Sequence, residues 1–429
     1  MVYLLYDIVV WLTALFLVPC YLVRGVLRGK VRCGIRERLG FFNRDRFVNF
    51  SGKQVFWIHA VSVGETRAAI PLIKALRVEY PQAVLLLSNV TETGHAIAQG
   101  IKEIDDILFF PLDASRVVRR VLRRINPNHV LIVETELWPN FIRQCYRMDI
   151  PIQLVNGRIS DRSFPRYLRA KRFVRPLLEL LSGFCMQSPL DAQRIAVLGA
   201  PQQRILVTGN LKFDMQSTLP PDLSAQQLKE EFLLDQRGRI WVAGSTHSGE
   251  EDQVIQVFQR LLVNHPDLML ILVPRHPERC KAVAELLNNA NLTWHLRSQQ
   301  EEQILCGGGV LLVDTIGEML KFYRMAELVF VGGSLVPTGG HNILEASLLK
   351  KAVLFGSNMH NFREIAALVQ QAQGAGRVHD ADELYRLVDT LLDEPQQCTM
   401  MGEQGWLLLQ KNVGASHKTL NEISRCVHN

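Results

Sequence analysis

Seven short apolar runs in the first half of the chain and six in the second, each followed by a stretch long enough for a helix, constrain the fold more than any other feature. The first set is Val55 to Val61, Ala83 to Val90, Ile107 to Leu112, His129 to Glu136, Ile152 to Asn156, Gly183 to Gln187 and Arg204 to Gly209. The second is Ile240 to Gly244, Leu268 to Pro274, Leu292 to Leu296, Val310 to Asp314, Leu328 to Gly333 and Ala352 to Phe355. Runs of this length that lead into helices belong to parallel sheets covered on both faces, because a half-exposed strand would alternate apolar with polar residues. Between Met215 and Arg239 the strand signal stops, and a proline pair and polar residues intervene. The expected fold class is therefore α/β: two doubly wound domains, 51–214 and 240–380, joined by a linker over 215–239 and separated by a cleft. Residues 381–429 read as C-terminal helices with no strand between them.

Length agrees, since 429 residues exceed what one core usually supports. The net charge of +6 is local. Residues 24–46 hold eight Lys/Arg against two acids, leaving forty of each sign from the 48 basic and 42 acidic residues of the whole chain. A neutral body excludes a broad nucleic-acid-binding face. Ahead of that cluster, Val2 to Val23 carries a single charge, Asp7. At about 1.5 Å per residue it is long enough to cross a hydrocarbon core of about 30 Å. Basic residues follow the segment rather than precede it, and no small-x-small site ends it, so an uncleaved single-pass anchor over 1–23 is expected. The positive-inside rule then puts the rest of the chain in the cytoplasm, with 24–50 as a basic juxtamembrane segment whose residues 24–46 attract anionic headgroups. Asp7 and Pro19 leave open a segment lying in the interface instead. Eight cysteines show no CxxC pair, which argues against structural zinc or a disulfide framework.

Polar residues collect where the strands end. In the second half, Ser245, Thr246 and His247 follow one strand in "AGSTHSGEE", and Arg275 and His276 close another in "LVPRH". "VDTIGEM" turns at Ile316, Gly317 and Glu318, and "GGSLVPTGGHNILE" enters a helix through Gly339, Gly340, His341 and Asn342. Helix N-termini present unpaired amides that suit a phosphate, and glycines let its oxygens approach the backbone. Four such strand ends in one domain indicate a nucleotide-type ligand, with Glu345 placed to bond a ribose diol or, alternatively, to be a solvated helix acid. No GxxxxGK[ST] loop and no GxGxxG after the first strand are present, which demotes ATP hydrolysis and NAD chemistry. The only DxD, Asp380-Ala381-Asp382, reads as a helix cap rather than a metal clamp.

The first half ends its strands differently. Glu65 opens a helix in "HAVSVGE", Ser88 to Thr93 follow the second run, Glu134 and Glu136 end "VETE", Asn156 and Arg158 follow the fifth, and Lys212 lies in "GNLKFD". Glu65 is either an acid that complements a helix dipole or a carboxylate held at the ligand-binding edge of a sheet. Glu134 and Glu136 share one side of their strand, and two acids there are costly to bury unless they bond to something. Lys212 has the alternative of an ordinary surface lysine.

"HAVSVGE", "VETELWP", "GNLKFD", "AGSTHSGEE", "LVPRH", "VDTIGEM" and "GGSLVPTGGHNILE", in this order behind an apolar N-terminus, resemble the 3-deoxy-D-manno-octulosonic acid (Kdo) transferases of lipopolysaccharide biosynthesis. The resemblance spans essentially the whole chain. It implies the two-Rossmann-domain glycosyltransferase architecture called GT-B, CMP-Kdo as donor, and transfer of Kdo to the lipid A precursor (lipid IVA) with inversion, at the inner membrane. Carried over by motif, it implies Glu65 as general base and Glu134 and Lys212 as transition-state-stabilising residues. It places CMP contacts on Pro274, Arg275, Ile316, Gly317, Glu318, Asn342, Ile343, Leu344 and Glu345; Ser245, Thr246, His247, His276, Gly339 and Gly340 are further candidate cleft residues. No metal or other cofactor is expected, because helix-end amides and Arg275 suit a leaving group with a single phosphodiester charge. A nucleotide-sugar epimerase and a non-catalytic membrane-bound binding protein are the rival readings.

Overall fold

The structure, a computed structural model, describes residues 3, 5–13, 34–43, 45–218, 223–299 and 303–428. The chain divides into two compact units, one comprising the chain up to Asp214 together with the segment from Val413 onward, the other Met215–Asn412.

The first unit is built on seven parallel strands: β1 (Val55–His59), β2 (Val84–Asn89), β3 (Asp106–Phe109), β4 (His129–Val133), β5 (Ile152–Gly157), β6 (Gly183–Met186) and β7 (Ile205–Val207). They lie in the order β3-β2-β1-β4-β5-β6-β7. Every residue of β1, β2 and β4 is buried. Strand residues alternate faces, so Trp57, Leu86 and Ile132 enter one core while Phe56, Ile58, Leu85 and Leu131 enter another.

That second core is completed from the far end of the chain. Leu420 and Ile423 of helix Ala415–His428 are buried in it, and the Asp214 carboxylate accepts from the backbone N–H of Gly414 (2.7 Å) and of Ser416 at the start of that helix. The block 381–429 is thus split. Helices Ala381–Asp393 and Pro395–Asn412 belong to the second unit, and the last helix to the first.

The second unit repeats the plan with β8 (Arg239–Thr246), β9 (Leu268–Pro274), β10 (Trp294–Leu296), β11 (Val310–Leu312), β12 (Leu328–Val331), β13 (Ala352–Phe355) and β14 (Ala375–Arg377), in the order β10-β11-β9-β8-β12-β13-β14. Strand β14 escapes the sequence reading because it is a three-residue edge with only Ala375 buried. Part of the expected linker is structured: Ser224 and Gln227 form a capping box on helix Ala225–Glu231, and Phe232 packs on Phe322 with ring centroids 4.9 Å apart.

In both sheets the strand order reverses beside the first strand of the unit, between β1 and β4 and between β8 and β12. Such a switch point leaves a crevice at the carboxyl ends of the two strands, where ligands of open α/β sheets bind.

Among the described residues no helix is long and apolar enough to cross a membrane. Of the expected anchor and basic segment, residues 1, 2, 4, 14–33 and 44 lie outside the described residues. Residues 5–13 are helical. Asp7, expected as the lone charge of an apolar span, instead caps helix Ser115–Ile125: it accepts from the Ser115 backbone N–H (2.9 Å) and hydroxyl (2.6 Å) and from Asn140 Nδ2 (2.8 Å). Arg46, counted in the basic cluster, is tied to Asp106 (2.9 Å) and Glu37 within the same unit.

Candidate active site

At the first switch point, β1 runs through Ala60 and Val61 into helix Val63–Glu79, with Ser62 as N-cap. The turn is fixed from beneath. Asn89 Nδ2 donates to Ala60 O and to Thr66 Oγ1, both at 2.8 Å, and Thr66 Oγ1 donates to Ser62 O at 2.8 Å. Glu65 is thereby held with only 9% of its surface exposed. Its Oε2 accepts from the Val61 backbone N–H (2.6 Å) and its Oε1 from the Ser62 hydroxyl (2.9 Å).

Those two bonds are what a helix-capping acid makes, and alone they would hold the carboxyl low. Burial outweighs them: it pushes the Glu65 carboxyl up to about 7, with further upward contributions from the charges of Glu134 and Glu136. A carboxyl poised near neutrality at the binding edge of a sheet is suited to general base work.

Glu134 immediately follows β4, the strand beside β1, and has the left-handed backbone angle φ +60° that non-glycine residues rarely adopt. Its backbone N–H is tied to Val155 O at 2.9 Å. Glu136 is raised by burial and by Glu134. The structure thus gathers Glu65, Glu134 and Glu136 at one switch point.

Lys212 lies beyond β7, on the 3₁₀ segment Leu211–Thr218. A chain of amides brings that segment back toward the middle of the sheet: Leu211 N donates to Asn156 Oδ1 (3.0 Å), Gln187 Nε2 to Asn156 O (2.9 Å) and Asn210 Nδ2 to Gln187 Oε1 (2.9 Å). Asn156, at the end of β5, also has a left-handed φ of 54°. Backbone strain of this kind clusters at functional sites.

At the second switch point, Ser245, with φ +58°, is followed by buried Thr246, the last residue of β8, and then by half-buried His247. Arg275 donates its backbone N–H to Thr246 O at 2.9 Å, so the ends of β8 and β9 meet. Pro274 is buried and His276 exposed. Ile316 is 86% exposed, Gly317 has φ +96°, and Glu318 is paired with Arg297 at 3.0 Å. Beyond β12, Gly339 and Gly340 both have positive φ, and a Cβ on Gly340 would lie 2.2 Å from Met359 Sδ. Asn342 bonds Glu345 (3.3 Å) and caps Leu344 N (3.2 Å). Ile343 and Leu344 have buried side chains, so any contact they make with a nucleotide runs through the backbone.

One residue of this site is absent from the sequence reading. Glu250 is fully buried, and its carboxylate accepts backbone N–H groups from Gly333 (2.6 Å), Ser334 (2.9 Å), Leu335 (2.8 Å) and His247 (3.1 Å). It binds the start of the glycine-rich loop to the turn after β8. The doubled acid of "STHSGEE" is the only sequence signal for it, and that pattern also describes a solvated helix start. Its neighbour Glu251 pairs with Arg279 at 3.1 Å.

One grouping among the described residues has metal-ligand chemistry, His265 with Asp389 and Asp393. It lies just before β9, at the amino edge of the second sheet. Arg239 Nη2 donates to His265 Nδ1 (3.1 Å), which leaves the proton on Nε2, bonded to Asp389 (2.8 Å). A metal on Nε2 would force that proton onto Nδ1, against a guanidinium donor. The grouping is an ion-paired network.

The seven-strand sheets and their switch-point residues now stand beside known proteins. Residues 34–215 match the family model "3-Deoxy-D-manno-octulosonic-acid transferase (kdotransferase)". A 3-deoxy-D-manno-octulosonic acid transferase of Haemophilus influenzae is 33% identical over 416 residues, covering 94% of this chain and 94% of that protein. The chain belongs to the Kdo transferase family. Its fold is also that of a glycosyltransferase from Rickettsia africae, at a TM-score of 0.57 and 15% identity over 88% of this chain and 99% of that one. A UDP-N-acetylglucosamine 2-epimerase from Listeria monocytogenes is similar at a TM-score of 0.58 and 14% identity, over 87% and 96% of the two chains. At such identities the likeness shows the GT-B core fold alone.

Proposed function

We propose that this Kdo transferase moves Kdo from CMP-Kdo to the lipid A precursor lipid IVA, with inversion, at the cytoplasmic face of the inner membrane, and that Glu65 is its general base. One observation carries the reading: a carboxylate at the first switch point, seated by Val61 N–H and Ser62, whose pKa burial lifts to about 7. In the step, the acceptor oxygen forms its bond to the anomeric carbon as the carbon–oxygen bond to phosphate breaks. The hydroxyl proton passes to Glu65, and CMP leaves with the bonding pair. Glu134 keeps the basicity of Glu65 high, and Lys212 offers a positive charge to the reacting sugar. Pro274, Arg275, the Ile316–Glu318 turn and Asn342 to Glu345 receive the nucleotide.

The membrane reading is supported by helix 5–13, where Leu5, Ile8, Val9, Trp11 and Leu12 are exposed apolar residues, a grouping that marks contact with lipid or protein. In this reading the preceding and following residues of Val2 to Val23 extend that contact, and basic residues of 24–46 meet anionic headgroups. The reaction takes no metal.

The test is to incubate the full chain with CMP-Kdo and a tetraacylated lipid A precursor in excess EDTA and weigh the products. The expected product is the precursor heavier by Kdo. Free or isomerised sugar with no glycolipid would support the epimerase reading, and activity that returns only with Mg²⁺ would refute the metal-free one.

A further inference from the structure

Leu85, Leu87 and Asn89 alternate along β2 and share the face that packs on helix Val63–Glu79. The first two are core leucines; the third sets a fully buried amide against the first turn of that helix. Its strand is fixed on both sides, by the register with β1 and by Phe110 N–H, which donates to Asn89 O at 2.9 Å.

Both hydrogens of the Asn89 amide are used, and both lead to Glu65. The first goes to Ala60 O at 2.8 Å. That oxygen belongs to the Ala60–Val61 peptide, whose N–H donates to Glu65 Oε2 at 2.6 Å, and because a trans peptide is planar, fixing its oxygen aims its N–H. The second goes to Thr66 Oγ1 at 2.8 Å. Thr66, the residue after Glu65, passes the restraint on by donating to Ser62 O at 2.8 Å, and Ser62 gives its hydroxyl to Glu65 Oε1 at 2.9 Å. Asn89 thus governs both carboxylate oxygens while bonding to neither.

The turn after β2 tightens the grip. Val61 O accepts from Val90 N–H (3.2 Å), Thr91 N–H (3.1 Å) and the Thr91 hydroxyl (3.2 Å). A Cβ on Gly94 would lie 3.3 Å from Asn89 Nδ2 and 2.8 Å from Thr91 Oγ1, so glycine there lets helix Glu92–Ala98 close on the amide. Stability alone does not explain the choice of side chain. Asn89 Oδ1 is buried without a donor among the described residues, a cost that an apolar group of similar shape would not carry. What only the amide supplies is the pair of N–H bonds.

We propose that Asn89 is a positioning residue for proton transfer: acting through the Ala60–Val61 peptide and Thr66, it holds the Glu65 carboxylate in the orientation that receives the acceptor hydroxyl. The inference rests on the reading of Glu65 as the base. The charged groups that act on Glu65 are Glu134 and Glu136, beyond β4, and Asn89 bonds to neither.

The experiment compares steady-state Kdo transfer and its pH profile in the full chain for wild type, Asn89→Leu, Thr66→Val and the double variant, with melting temperature and CMP affinity measured on the same preparations. Asn89→Leu puts an apolar group of similar shape in place of the amide and removes both N–H bonds. Its kcat should fall by about 10–10²-fold, the upper figure being the cost of misplacing a reacting group by about 1 Å, while CMP affinity stays at the wild-type value. The inflection of kcat/KM should move down from about 7, because burial is the largest contribution that holds Glu65 there and a loosened turn admits water. Thr66→Val should lower kcat in the same way, and the double variant should be little worse than Asn89→Leu alone, since both changes break one chain of bonds.

A folded Asn89→Leu enzyme with wild-type kcat and inflection overturns the proposal, as does a loss of rate that disappears when the assay is run well below the variant's melting range. If Asn89→Leu does not fold, Thr66→Val carries the test, and wild-type kcat and inflection in that variant overturn the proposal. Glu65→Gln assayed in parallel separates the readings. If it loses turnover while Asn89→Leu and Thr66→Val keep theirs, only this inference falls; if Glu65→Gln keeps wild-type turnover, the base assignment falls and this inference with it.

Discussion

The two units share one topology and differ in what they collect at its switch point. Between β1 and β4 the first unit gathers Glu65, Glu134 and Glu136, and burial raises two of the three. Between β8 and β12 the second gathers His247, Arg275, His276 and His341; of its buried carboxylates Glu250 is turned into four backbone amides and Glu251 is paired with Arg279. The comparison teaches that the doubly wound sheet supplies a place, and the residues at the strand ends decide which charges and hydrogen-bonding groups that place presents. Left-handed residues stand at both switch points, Glu134 just beyond β4 and Ser245 near the end of β8, although β4 and β8 are not corresponding strands of the two sheets.

The largest effect should come from removing the proton acceptor of the first unit. Glu65→Gln can keep both local bonds, accepting from Val61 N–H through its carbonyl and donating its amide to Ser62 Oγ. Turnover should fall by about 10²–10⁴-fold while CMP affinity stays unchanged. A capping acid would instead lose only about 0.3–1 kcal/mol of stability and nearly nothing in rate. The sign of the stability change sharpens the distinction. The Glu65 carboxyl is raised above its unfolded value of 4.5 to about 7, so its contribution favours the fold at low pH and is lost as pH rises through 7. Above pH 7 the Gln variant should melt no lower than wild type.

A smaller effect is expected from the anion side. Arg275→Ala should weaken CMP binding by about 1.5–3 kcal/mol, the range for a hydrogen bond to a charged group, without moving the pH dependence that arises in the first unit. Unchanged CMP affinity in calorimetry would put the nucleotide elsewhere and dissolve the contrast between the units.

The smallest concerns how the first unit is completed. Asp214→Ala removes the acceptor for Gly414 and Ser416 and should cost about 1 kcal/mol, as loss of a helix cap does, seen as a lower denaturant midpoint with the CMP affinity of the second unit intact. A variant that loses CMP binding as well as stability would show that this cap serves both units.

Much of this was legible in the chain because parallel strands buried on both faces leave continuous apolar runs, and Val55 to Val61 or Leu268 to Pro274 admit little else. Glu65 was legible for a related reason, since a carboxylate between a strand and a helix start is conspicuous. Strand β14 was not, because "AGR" buries a single side chain at a sheet edge. Helix Ala415–His428 was not assignable, because the apolar stripe of a helix does not say which sheet it covers; Asp214, two hundred residues earlier, makes that choice. Glu250 and the His247–His341 contact depend on side chains separated by 83 and 94 positions, which no local pattern reveals. Asp7 was read as a flaw in an apolar segment, and its role as a cap for Ser115 is likewise a long-range pairing.

The most direct test of the central claim is the dependence of kcat/KM on pH for the wild-type chain and for Glu65→Gln, with saturating CMP-Kdo binding checked at each pH. If Glu65 is the base and burial holds it near 7, the wild-type rate rises with pH through an inflection at about 7 and then levels, because only the ionised carboxylate accepts the proton. The residual activity of Glu65→Gln should lack that limb. A wild-type profile flat from pH 5.5 to 8.5, or the same limb persisting in the Gln variant, would contradict the assignment of the base to Glu65.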